Sequence, residues 1–167
     1  MPLSFLPRHI FPKLTAIDPR KLHESGVRLL MLDFDNTIVP YTTNEPTDEM
    51  RQWLKQAAES AVRICVVSNS KRGRVVEFCK KYDIDCITHA KKPFSRGIRE
   101  CLDRYGVEPH KAALVGDQIY TDVLGANCVG VRSILIPAIH NHNIWLKLRH
   151  VAELPFIWMA RDRREGK

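Results

Sequence analysis

The chain has 167 residues, 44% of them hydrophobic and 27% charged, the proportions of a globular protein large enough for one real core. Its 26 lysines and arginines against 19 acidic residues give a formal net charge of +7, and the pI is near 9.3. That balance favours an anionic partner, whether a phosphorylated substrate, nucleic acid or an acidic membrane. No stretch approaches the roughly 20 apolar residues of a transmembrane helix.

Residues 1–26 form a basic, apolar arm punctuated by Pro2, Pro7 and Pro12. It lacks the long apolar core of a secretory signal. Its Phe5, Leu6, Ile10, Phe11 and Leu14 can pack on the domain, or can touch an anionic bilayer together with Arg8, Lys13, Arg20 and Lys21. A buried strand follows from Val27 to Leu32, and it ends abruptly in Asp33-Phe34-Asp35. Thr47 can cap a helix with Asp48 and Glu49 in its first turn and Met50, Trp53, Leu54 and Ala57 on one face.

Val62 to Val67 reads as a second strand, ending at Ser68-Asn69-Ser70, and a helix from about Lys71 to Tyr82 follows. Ile84 to Thr88 is a short third strand, leading into the loop His89-Ala90-Lys91-Lys92-Pro93. A helix with Phe94, Ile98, Cys101, Leu102 and Tyr105 at helical spacing closes at Gly106. Ala112 to Val115 is a fourth strand, ending at Gly116-Asp117. A short helix from Thr121 to Cys128 leads to a fifth strand, Val131 to Ile136. The stretch from Asn141 to Met159 has near-helical spacing, and a basic tail follows it. The five cysteines are odd in number and form no C-x-x-C pair. They suit reduced thiols in a cytoplasmic protein.

Alternating strands and helices predict an α/β fold with a five-stranded parallel sheet and right-handed crossovers. In such sheets ligands bind beyond the carboxyl ends of the strands. The polar clusters all fall there: Asp33 and Asp35 after the first strand, Ser68 and Asn69 after the second. Lys91 and Lys92 follow the third, and Asp117 and Asp122 the fourth. Taken singly, these are a solvated acidic turn, a helix cap and a pair of surface lysines. Together they supply the parts of a phosphoryl-transfer site.

Strand alternation starts Asp33 and Asp35 on the same side, and two carboxylates that close need a cation between them. A hard divalent ion, Mg²⁺, meets that need and leaves room for a phosphate. Asp33 leaves the strand first and is the candidate nucleophile; Asp35 can act as general acid and then base. Asp117 adds a carboxylate for the metal, and Asp122 is a further ligand or a partner behind it. Ser68 and Asn69 lie where a phosphate would meet the next helix's N-terminus. A lysine before Pro93 neutralises the intermediate. Asn36 and Thr37 order the turn.

The residues Asp33-Phe34-Asp35-Asn36-Thr37, Ser68, Lys92-Pro93 and Gly116-Asp117 to Asp122 resemble the four motifs of the haloacid dehalogenase (HAD) superfamily, over about residues 27–136. The resemblance implies a three-layer Rossmann-like fold. It makes Asp33 the nucleophile and Asp35 the acid/base. Asp33, Asp117 and the main-chain carbonyl of Asp35 would bind Mg²⁺. Lys92 would be the motif lysine, with Lys91 in reserve. A second aspartate at position 35 implies a phosphatase rather than a dehalogenase. Neither Val39 to Thr47 nor Cys86 to Lys91 leaves room for a cap domain, so an open site is expected in a single domain spanning residues 1–167.

The size, the proline-rich arm and the stretches LDFDNTIVPY and HAKKP resemble the YqeG family, which is similar to phosphatidylglycerophosphate phosphatases. That implies a lipid phosphate monoester as substrate and a peripheral place at the inner face of a membrane. The alternatives are a phosphatase for a soluble nucleotide or sugar phosphate, and a HAD-like module that binds nucleic acid. The basic residues do not interleave with a stacking aromatic platform, which disfavours nucleic acid.

Overall fold

The computed structural model describes residues 4–70 and 72–139. The expected C-terminal helix and basic tail lie outside them. The strands are β1 (His9–Ile10), β2 (Leu29–Leu32), β3 (Arg63–Val67), β4 (Asp85–Ile87), β5 (Ala112–Gly116) and β6 (Arg132–Leu135). The helices are α1 (Pro19–Glu24), α2 (Asp48–Ala58), α3 (Arg72–Tyr82), α4 (Arg96–Tyr105) and α5 (Leu124–Val129). All strand pairs are parallel, in the order β1-β6-β5-β2-β3-β4.

The sheet has six strands, not the five expected. The additional one is β1, from the N-terminal arm, which pairs His9 with Ile134 and Ile10 with Leu135 at the sheet edge. A two-residue strand between prolines carries no period of its own. Only the tertiary pairing with β6 defines it, and prolines beside it suit an edge. The arm is tied down along its length. Phe11 N–H donates to Leu135 O at 3.0 Å, and Trp53 Nε1 donates to Ile17 O at 2.7 Å. The Asn127 amide donates to Ser4 O and Leu6 O, and Leu14 and Ile17 are buried. The reading in which the arm packs on the domain is the one realised.

Every residue of β2 is buried, as the continuous apolar run implies for a central strand covered on both faces. Leu30 and Leu32 join a core with residues of α2, α3 and the arm, while Leu29 and Met31 join a second core with α4 and α5. Thr47 caps α2 by accepting from Met50 N–H at 3.2 Å, and Gly106 ends α4 at φ 60°. The expected helix from Thr121 to Cys128 is instead a π-helical turn, Ile119–Val123, running into α5.

Register decides where the site falls. Leu32 lies level with Val66 on one side and Val115 on the other, and Val67 with Ile87. The residues that follow these strands therefore emerge in one row at the carboxyl edge. From β2 the chain winds outward to β4, then returns to β5 on the other side. The β2–β5 boundary is thus the switch point, where a crevice opens.

Candidate active site

The crevice is a cleft of about 740 Å³ lined by Asp33, Asp35, Tyr41, Ser68, Asn69, Ser70, Gly73, Arg74, Lys92, Gln118 and Thr121. Asp33 extends β2, its N–H donating to Val115 O at 2.9 Å. After it the chain turns sharply: Ile38 N–H returns to Phe34 O, Asn36 N–H reaches Val39 O, and Asn36 takes φ 60°. The Asn36 side chain accepts from Tyr41 N–H, so Asn36 organises the turn as expected. Thr37 is fully buried there, with no hydrogen-bond partner for its Oγ1 among the described residues.

Lys92 is the centre of the buried charge. Its side chain is 1% exposed, and Nζ lies 2.6 Å from Asp33 Oδ1 and 2.7 Å from Asp122 Oδ1. Lys91, the reserve, takes φ 55° and stays exposed, outside the cleft lining. Asn69 fixes this choice: its Oδ1 accepts from Lys92 N–H at 2.8 Å and its Nδ2 donates to Lys92 O at 2.9 Å. The Asn69 side chain thus clamps the lysine's backbone, where the sequence suggested phosphate contact. Ser68 Oγ accepts from Ser70 N–H and keeps its own hydroxyl hydrogen for another acceptor.

Asp33, Asp117 and Asp122 each bring a carboxylate oxygen within 4.8 Å of the others. Gly116 makes this approach possible, since a Cβ there would stand 2.2 Å from Asp122 Oδ2. Burial, then the Asp122 and Asp33 charges, pushes Asp117 up to about 8. Burial pushes Asp33 up to about 7, against the pull of Lys92. Burial alone would depress Lys92, but Asp122 and Asp33 outweigh it and hold it above the ordinary lysine value. Three carboxylates face one ammonium, and Asp117 Oδ1 is enclosed without a hydrogen-bond partner among the described residues. An all-oxygen set with an orphaned buried oxygen fits a hard divalent cation.

The Asp35 side chain turns the other way. It accepts from the Ser70 hydroxyl and pairs with Arg74. Asp122, which the sequence left as ligand or support, completes the carboxylate triad in its place. Arg74, Ser70 and Tyr41 line the cleft without having been expected. Arg74 reads in the sequence as one more solvated helix residue, and only the reach of its side chain over Phe34 brings it here.

A family model described as haloacid dehalogenase-like hydrolase matches residues 13–130. The chain therefore belongs to the haloacid dehalogenase-like hydrolases. Within them it sides with the YqeG-like phosphatases: it is 30% identical over 132 residues to the probable phosphatase YqeG of Bacillus subtilis, covering 79% of this chain and 77% of that one. Two solved structures share the fold. One is the cobalt-bound deoxy-D-mannose-octulosonate 8-phosphate phosphatase YrbI of Haemophilus influenzae (TM-score 0.55, 11% identity, 77% of each chain). The other is the D,D-heptose 1,7-bisphosphate phosphatase of B. bronchiseptica, with magnesium and phosphate (TM-score 0.53, 15% identity, 65% of this chain and 80% of that one).

Proposed function

We propose that the protein is a Mg²⁺-dependent phosphomonoesterase that works through an aspartyl phosphate and takes a large or lipid phosphate, phosphatidylglycerophosphate being the leading candidate. The observation that carries the phosphotransfer reading is Lys92, buried between Asp33 and Asp122 beside the Asp117 carboxylate. A lysine so enclosed is held for charge that appears during reaction. Asp33 Oδ1 is engaged by Lys92, so Oδ2 is the oxygen left to attack.

In the first step that oxygen bonds to phosphorus and the bond to the leaving oxygen breaks, while Asp35 gives the leaving oxygen a proton. In the second, Asp35 takes a proton from water, which attacks the aspartyl phosphate and frees the Asp33 carboxylate. Ser68 donates to a phosphoryl oxygen, and Lys92 neutralises the intermediate. The Asp33 and Asp117 carboxylates and the Asp35 carbonyl, with Asp122 beside them, would hold Mg²⁺, which would supply charge neutralisation at the transferred group.

The open cleft supports a bulky substrate. The connections 40–47 and 88–95, where a covering domain would insert, are loops. Among the described residues, the exposed large hydrophobic side chains are Tyr41, Phe94 and Ile139. Tyr41 lines the cleft, Phe94 follows the Lys92 loop, and Ile139 N–H donates to Asn36 O. An exposed aromatic side chain in the cleft wall, Tyr41, on a basic protein favours an amphipathic, anionic substrate. Among the described residues no helix is long and apolar enough to cross a membrane.

The test is phosphate release from phosphatidylglycerophosphate in detergent, beside a panel of soluble nucleotide and sugar phosphates, with Mg²⁺ and with EDTA. The reading expects Mg²⁺-dependent turnover with the lipid preferred. Preference for a soluble ester would remove the lipid, and full activity in EDTA would remove the metal.

A further inference from the structure

Arg74 lies in the first turns of α3, and its half-buried side chain crosses back over the Phe34 ring, 5.1 Å from the centroid. The Tyr41 ring is 5.5 Å away. One terminal nitrogen pairs with Asp35 Oδ1. The other donates to Pro40 O at 2.7 Å and to Thr43 O, and Nε donates to Asn44 Oδ1. One planar cation therefore holds four acceptors: a carboxylate of the site and three groups of the 40–44 loop. Among the described residues that loop has few other hydrogen bonds: Tyr41 N–H reaches Asn36 Oδ1, Thr43 N–H reaches Pro40 O and Thr43 Oγ1 accepts from Glu45 N–H, and no helix or strand lies within it. It nonetheless carries Tyr41, a wall of the cleft.

We propose that Arg74 is a positioning residue that locks the Asp35 carboxylate and the Tyr41 loop into one piece, and so determines which leaving groups the open cleft can process. The inference rests on the reading of Asp35 as proton donor to the leaving oxygen. Where a cap domain is lacking, the side of the cleft that receives the leaving group has to be held from within. The fork geometry of guanidinium suits that task, because it bonds several fixed acceptors at once, whereas an ammonium is a point charge.

Leaving-group chemistry separates positioning from general support. An alkyl alcohol leaves poorly without a proton, whereas p-nitrophenolate leaves readily without one. Kinetics on glycerol 3-phosphate and p-nitrophenyl phosphate are measured for the full chain and for D35N, R74A and R74K, with melting curves alongside. Misplacing Asp35 by about 1 Å is expected to lower kcat on the alkyl ester about 100-fold in R74A. The aryl ester should fall only a few-fold, with KM little changed. R74K should recover little of the loss, since it restores charge without the fork. D35N should separate the two esters in the same direction. If D35N separates them and R74A lowers both equally, the inference is wrong while the reading of Asp35 stands. If D35N treats them alike, that reading falls and the inference with it. Should R74A not fold, R74Q carries the same comparison, since it keeps part of the stem and lacks the charged fork.

Discussion

At the scale of the residue, the site depends on close approaches that tolerate no added atom. Gly116 is the sharpest case. A methyl group there would stand 2.2 Å from Asp122 Oδ2 and 2.6 Å from its Cβ, so Asp122 or β5 must move. Gly116→Ala is expected to cost about 1–3 kcal/mol, as overpacking of a dense interior does. It should also cut turnover, because Asp122 is one of the two carboxylates on Lys92. Thermal melting and phosphate release check the two effects separately; unchanged values would mean that Asp122 is not held where the structure has it. That Asp33, Ser68, Lys92 and Asp117 share the carboxyl edge of the sheet was legible in the sequence, because each follows a recognisable strand or precedes proline. The choice of Lys92 over Lys91 came from its place before Pro93; what the sequence did not show is the Asn69 side chain that pairs with the Lys92 backbone. Arg74 was invisible for a related reason, since its partners lie 30 to 39 residues away in sequence.

At the scale of the element, apolar runs and caps announced the central strands and α2 through α4, because burial on both faces and end-capping are local in sequence, although Phe94, expected on α4, precedes that helix and is exposed. The edge strand β1 and the π-helical turn before α5 were not announced. The first takes its identity from β6, and the second from the way Asp122 must fold back against Gly116 and the Gln118 N–H. The arm is expected to be structural. A chain beginning at Leu22 would lose β1 and the buried Leu14 and Ile17. Two fully buried aliphatic side chains correspond to about 3–6 kcal/mol, a large share of a domain's stability. Urea unfolding of the full and shortened chains should show that loss. Equal stability would free the arm for another role, and liposome co-sedimentation at low and high salt would then test the membrane contact that its basic residues suggest.

At the scale of the whole molecule, the charge gathered at the switch point is expected to make stability depend on pH and on a bound cation together. Asp33 and Asp117 have folded values near 7 and 8, raised from 3.8. Groups raised in this way favour the fold while protonated, so their contribution is complete below about pH 4. It is lost as pH rises through 7 to 8, where the fold must hold the carboxylates ionised. Each tenfold gain in proton affinity on folding corresponds to about 1.4 kcal/mol, so the effect reaches a few kcal/mol. A bound divalent cation should reverse it. The melting temperature gained on adding Mg²⁺ is therefore expected to be larger at pH 8 than at pH 5. A gain independent of pH would dissociate the metal from this triad.

The central claim is that Asp33 carries the phosphoryl group, and trapping that group on the chain tests it most directly. The protein, turned over with excess substrate and Mg²⁺, is quenched in acid, digested and read by mass spectrometry, with the beryllium fluoride adduct measured in parallel. The account predicts one phosphoryl group on the peptide containing Asp33, and neither phosphoryl group nor adduct in a folded, inactive Asp33→Asn variant. Turnover that persists in Asp33→Asn, or a phosphoryl group found on another residue, would contradict it.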